Sequence, residues 1–125
     1  MKKLTTQQVM LLHTLLTQKT GGDDSLRDHA LLDGALQSAY ATFGGQDLFA
    51  TVEQKGARLC FGLISNHAFA DGNKRIGVLV LLTFLRLNGT KIVATNQDVI
   101  DLGLGVAKGS WSYDDVLEWI TKHKN

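Results

Sequence analysis

The stretch His67-Ala-Phe-Ala-Asp-Gly-Asn-Lys-Arg-Ile-Gly-Val-Leu-Val-Leu-Leu-Thr-Phe-Leu-Arg-Leu87 decides the architecture of this chain. Its second part, Asn73 to Leu87, is apolar nearly all round: Ile76, Val78, Leu79, Val80, Leu81, Leu82, Phe84 and Leu85 leave almost no polar face. A helix of that kind belongs at the centre of a bundle. Asn88-Gly89 supplies its stop. The first part concentrates a histidine, a carboxylate, a glycine, an amide and two cations at the start of that helix.

Working outward, the remaining segments read as helices joined by short polar or glycine turns. Thr5 with Gln8 fits a capping box. Val9, Leu12, Leu15 and Leu16 then recur at helical spacing until Gly21-Gly22 ends the first helix. A second helix is predicted over 28–42, with Leu31, Leu32, Ala35, Leu36 and Ala39 inward, and a third over 52–65, where Gly56 allows close packing. A fifth fits 96–108 after Thr95, and a sixth 113–123, with Ser112 as cap and Asp115 in its first turn. Between the second and third, Phe43-Gly-Gly-Gln-Asp-Leu-Phe49 suggests an exposed loop or short hairpin, and Lys91 to Ala94 reads weakly as strand. The expectation is an all-α bundle in one domain spanning 1–125.

The bulk numbers narrow the function. Net charge is +1, which gives no support for a nucleic-acid binder. Cys60 is the one cysteine, so neither an intramolecular disulfide nor a cysteine metal site is available, and its apolar setting reads as buried. Lys2-Lys3 is not followed by an apolar run, unlike a signal peptide, and Ile76 to Leu85 is too short to span a bilayer. A cytoplasmic location is expected.

The first turn of a helix has amides without partners and partial positive charge, so it is a natural anion site. Gly72 lets a phosphate reach the backbone without a Cβ in the way, and Lys74 and Arg75 add two full charges. Alone, such a basic pair is a solvated helix end; with Gly72, Asp71 and His67 it reads as a site. Asn73 orients either a phosphate oxygen or the loop. Asp71 has two compatible readings, a Mg²⁺ ligand or a cap for the following helix. His67 is a candidate general base, because histidine ionises near neutrality. His13, His29 and His123 are read as structural, and Phe69 as a buried peg that shapes the loop.

This motif resembles the signature of the Fic/Doc superfamily, His-x-Phe-x-Asp/Glu-Gly-Asn-Gly-Arg-x-x-Arg. It is similar above all to the death-on-curing (Doc) branch, which has Lys between the Asn and Arg and lacks the last Arg; this chain has Lys74 and Val78 there. Leu26-Arg27-Asp28, Phe43-Gly44-Gly45 and Phe84-Leu85 with Asn88-Gly89 also look Doc-like. The resemblance implies the compact helical Fic/Doc bundle. It further implies His67 as the base, Asp71 as the Mg²⁺ ligand, and Gly72, Asn73, Lys74 and Arg75 as holders of ATP phosphates. Phe43, Gly44, Gly45, Gln46, Asp47, Leu48 and Phe49 would form the flap that docks the target protein.

Doc-type proteins are known as kinases that phosphorylate the translation elongation factor EF-Tu, whereas Fic adenylyltransferases transfer AMP. Lys74 and Val78 side with Doc; Gly72 follows the wider Fic pattern. A catalytically idle module that binds nucleotide or a partner is the third possibility. Fic proteins often carry an inhibitory helix with Ser/Thr-x-x-x-Glu-Gly/Asn. Here the two glutamates, Glu53 and Glu118, are followed by Gln54 and Trp119, so neither fits. The resemblance therefore implies restraint in trans by a Phd-like antitoxin whose C-terminal segment folds on binding.

Overall fold

A computed structural model describes residues 1–125. Six helices appear in chain order: α1 (Thr6–Thr20), α2 (His29–Ser38), α3 (Val52–Asn66), α4 (Asn73–Leu87), α5 (Asn96–Ala107) and α6 (Tyr113–His123). One small hairpin, β1 (Thr42–Phe43) with β2 (Gln46–Asp47), lies between α2 and α3. The fold is all-α, as the sequence predicts.

α3 and α4 lie along each other and form the centre. α2 and α6 flank α3, while α5 and α1 flank α4. Gly77 permits the close approach of the central pair: a Cβ there would stand 2.5 Å from Ile64 Cγ1 and 3.2 Å from the Cys60 carbonyl. Ile76, Val80, Leu81, Phe84 and Leu85 are fully buried between the layers. Truncating Phe84 alone would cost about 3–5 kcal/mol. α4 is not enclosed on every side, however. Leu79 and Leu82 are only partly covered, because one stripe of α4 faces the gap beside α5, and Leu87 is exposed at the end of the helix.

Local signals set most helix starts. Thr5 with Gln8 and Ser112 with Asp115 form reciprocal capping boxes, and Thr51 with Gln54 and Thr95 with Asp98 do the same. Gly21 ends α1 at φ 79. The inward face of α1 differs from the spacing of its leucines: Val9 and His13 are buried, and Leu15 is 48% exposed.

Two segments depart from expectation. α2 stops at Ser38, short of Thr42, since Thr42 pairs with Asp47 in the hairpin and the Tyr40 amide turns back to the Gln37 carbonyl. Lys91 to Ala94 forms no strand; only an isolated bridge, Ile92 to Lys124, ties it to the end of α6. No helix is long and apolar enough to cross a membrane.

Candidate active site

α3 ends at His67, whose φ of 51 makes it the one non-glycine residue with positive φ. Histidine tolerates that conformation better than branched residues do. It breaks the helix and turns the chain into the motif loop. Three sets of bonds then hold the loop. The Arg27 and Asp28 amides donate to the Ala68 carbonyl at 2.8 and 3.0 Å, and the Ala70 amide donates to the Ser25 carbonyl at 3.0 Å. Phe69 is 2% exposed, the peg the sequence suggests.

Asn73 supplies the second set. Its Oδ1 accepts from the Phe69 amide and its Nδ2 donates to the Phe69 carbonyl, both at 3.0 Å. Of the two roles open to Asn73, its side chain takes the loop one. Its backbone stays free: the amides of Asn73, Lys74 and Arg75 have no acceptor within the chain. Gly72 is the N-cap, in the left-handed region at φ 77, and no side chain caps α4. The capping reading of Asp71 therefore fails, because its Oδ1 accepts from the adjacent Gly72 amide at 2.8 Å and does not reach the first turn. Those open amides keep the anion-binding capacity of the helix start.

The third set comes from α1 and was not legible in the sequence. His13, wholly buried, donates from Nε2 to the Asp71 carbonyl at 2.7 Å. Its ring stacks on Phe69, with centroids 3.8 Å apart and planes at 14°. The structural reading of His13 holds, but what it supports is the motif itself.

His67, Asp71, Gly72, Asn73, Lys74 and Arg75 line one cavity of about 330 Å³, to which the buried Ile64 and the exposed Ala107 also contribute. His67, Asp71, Lys74 and Arg75 are exposed, and neither ring nitrogen of His67 is engaged within the chain. Lys74 is aimed by α5: its stem lies across Gly103, where a Cβ would stand 2.9 Å from Lys74 Cγ. Lys74 and Arg75 also border a second cavity of about 410 Å³ between α4 and α5, lined by apolar residues such as Leu79, Leu82 and Ile100. The arrangement offers a free imidazole, one carboxylate, open amides and two cations around a single space.

The flap residues are a hairpin. Gly44 and Gly45 make its turn at φ 58 and 79, a pair of positive values that suits a two-residue connection. Phe43 is 80% exposed and Leu48 57% exposed. The base of the hairpin is fixed by Lys55, which is buried and binds both Asp47 and the Phe49 carbonyl, and by the Phe49 ring against Tyr113. His29, largely exposed, lies 3.1 Å from Asp33 one turn along α2, and His123 lies 3.4 Å from Asp98.

The model of the Fic/DOC family matches residues 3–85. Over 74 residues the chain is 40% identical to Toxin Doc of Mycolicibacterium smegmatis, covering 59% of this chain but only 57% of that relative. It is 27% identical over 126 residues to Protein kinase doc of Escherichia phage P1, covering 98% of this chain and 95% of that one.

Proposed function

This chain belongs to the Fic/Doc family, and on that premise we propose that it is the toxin of a toxin–antitoxin pair, a kinase moving the γ-phosphate of ATP to a hydroxyl of a protein. The observation that carries this reading is the single cavity shared by His67, Asp71 and the open first turn of α4. His67 takes the proton of the target hydroxyl as its oxygen bonds to the γ-phosphorus. The bond from that phosphorus to the bridging oxygen breaks, and ADP departs. The open amides of 73–75, with Lys74 and Arg75, hold the phosphates and offset their charge, which is most of what a protein contributes to phosphoryl transfer.

Asp71 suits Mg²⁺ as one arm of a shared shell. Its carboxylate is exposed and no third metal-binding side chain clusters with it, which fits an ion that arrives with a triphosphate and keeps several waters. Such an ion would neutralise phosphate charge. The exposed Phe43 and Leu48 on the flap would dock the target polypeptide, for which the family suggests EF-Tu. A Phd-like antitoxin would restrain the enzyme, folding a C-terminal segment into the apolar groove between α4 and α5 that adjoins Lys74 and Arg75.

One observation favours AMP transfer instead: Gly72 follows the wider Fic motif. Against it, Val78 is buried at 8% exposure where that motif has its second arginine. ATP labelled at the γ- or the α-phosphate, incubated with the chain and a cell lysate, separates the two. Protein label from the γ position alone supports the kinase. Label from the α position establishes AMP transfer. Absence of both overturns the transferase reading.

A further inference from the structure

We propose that α1 is a positioning clamp for Asp71, with His13 fixing its carbonyl and Gly22 leaving the space its carboxylate occupies. The inference rests on the reading of Asp71 as the group that holds Mg²⁺ with ATP. His13 approaches from the middle of α1, and its Nε2 is 2.7 Å from the Asp71 carbonyl. A carbonyl only accepts, so the ring carries its proton on Nε2. Nδ1 is left without a protein partner in a fully buried position. A phenylalanine would fill the same space, stack on Phe69 equally well and leave no polar atom to satisfy. What the imidazole adds is the one bond to Asp71. The ring also lies under the turn itself: a Cβ on Gly72 would stand 3.2 Å from Nε2.

The turn that follows α1 reaches the same residue. At Gly22, φ is 103 and a Cβ would stand 2.5 Å from Asp71 Oδ2. Gly21 is the natural control, since its φ of 79 is also left-handed but a Cβ there meets nothing within 4 Å. Backbone and carboxylate of Asp71 are thus set by α1 and the glycine turn that follows it, neither of which contributes a residue to the cavity wall. A fixed carboxylate matters because Mg²⁺ tolerates little departure from octahedral geometry.

Four substitutions in the intact chain test this. His13→Phe keeps the volume and the stacking, His13→Gln restores an amide donor, and Gly22→Ala is compared with Gly21→Ala. Calorimetric titration with Mg²⁺-ATP should show binding weakened about tenfold in His13→Phe and largely recovered in His13→Gln. Gly22→Ala should bind several-fold more weakly than Gly21→Ala. Independently of nucleotide, NMR water exchange of the Gly72 amide, which donates to Asp71 Oδ1, should quicken in His13→Phe and revert in His13→Gln. Exchange unchanged in a folded His13→Phe, or Gly22→Ala matching Gly21→Ala in Mg²⁺-ATP binding, overturns the clamp. If His13→Phe does not fold, the glycine pair decides. A wild-type chain that binds no Mg²⁺-ATP would refute the functional reading instead, and the Gly72 exchange would still judge the clamp.

Discussion

The Lys55 ammonium lies inside the fold, 3.1 Å from the Asp47 carboxylate at the far side of the hairpin. Lys55 is 4% exposed, so a buried cation on the central helix α3 is what ties the flap to the core. Replacing such a charge by an apolar side chain of similar length is often neutral for stability, whereas stranding it is costly. Lys55→Met should therefore leave the urea midpoint nearly unchanged while speeding hydrogen exchange across 42–49 and lowering transfer to the target. Asp47→Ala leaves that ammonium with only the Phe49 carbonyl and should lower stability by about 3 kcal/mol. Exchange in the hairpin unaltered by Lys55→Met would show that Lys55 does not anchor it.

Asn73 makes a different kind of tie. Its amide group is the side-chain partner of both backbone atoms of Phe69, a residue that is itself 2% exposed. Asn73→Ala leaves the Phe69 amide unsatisfied and should cost about 1–3 kcal/mol. Asn73→Asp keeps the acceptor and should cost less. Thermal melts of the two variants check the order; equal losses would mean the Phe69 amide is not what matters.

Gly103 controls a cation without touching the motif loop. A methyl there meets Lys74 Cγ, near the root of the side chain, so the whole stem must shift. Gly103→Ala should raise KM for ATP several-fold, and Lys74→Ala should do the same through loss of a charge-assisted contact. The double variant should be little worse than Lys74→Ala alone. Additive losses would separate Gly103 from Lys74.

Complete burial pushes the Cys60 thiol up to about 12. In the unfolded chain the thiol titrates near its ordinary value of 9.0. The raised acid stays protonated in the native state, so its contribution is intact below pH 9 and is lost as pH rises from there toward 12. Stability should fall by up to about 1.4 kcal/mol per pH unit in that window through this group. Cys60→Ala should flatten the alkaline limb of a urea-midpoint-versus-pH curve; an identical slope would exclude the thiol as its source.

The sequence disclosed whatever depends on neighbours a few residues apart. The capping box at Thr5, the cap at Ser112, the stop at Asn88-Gly89 and the glycine turn of the flap are of this kind. It also brought together His67, Asp71 and the cations, because all of them fall within nine residues between the end of one helix and the first turn of the next. What it could not disclose lies across long separations. His13 meets a backbone carbonyl 58 residues away, and a carbonyl has no residue type to read. The burial of Lys55 follows from the packing of the hairpin over α3, and α2 ends early because Thr42 finds a strand partner in Asp47. The fate of Asp71 was set by Gly72, whose positive φ places the cap one residue later than a capping aspartate would need.

The central claim is that His67 removes the proton of the accepting hydroxyl, and His67→Gly tests it most directly. Glycine suits the left-handed position at φ 51, so the variant should be as stable as the wild type or more stable by about 0.5–1 kcal/mol. With γ-labelled ATP and the target-bearing lysate, the account predicts that this folded protein loses label transfer at least 100-fold. A folded His67→Gly chain that labels protein at the wild-type rate would contradict it.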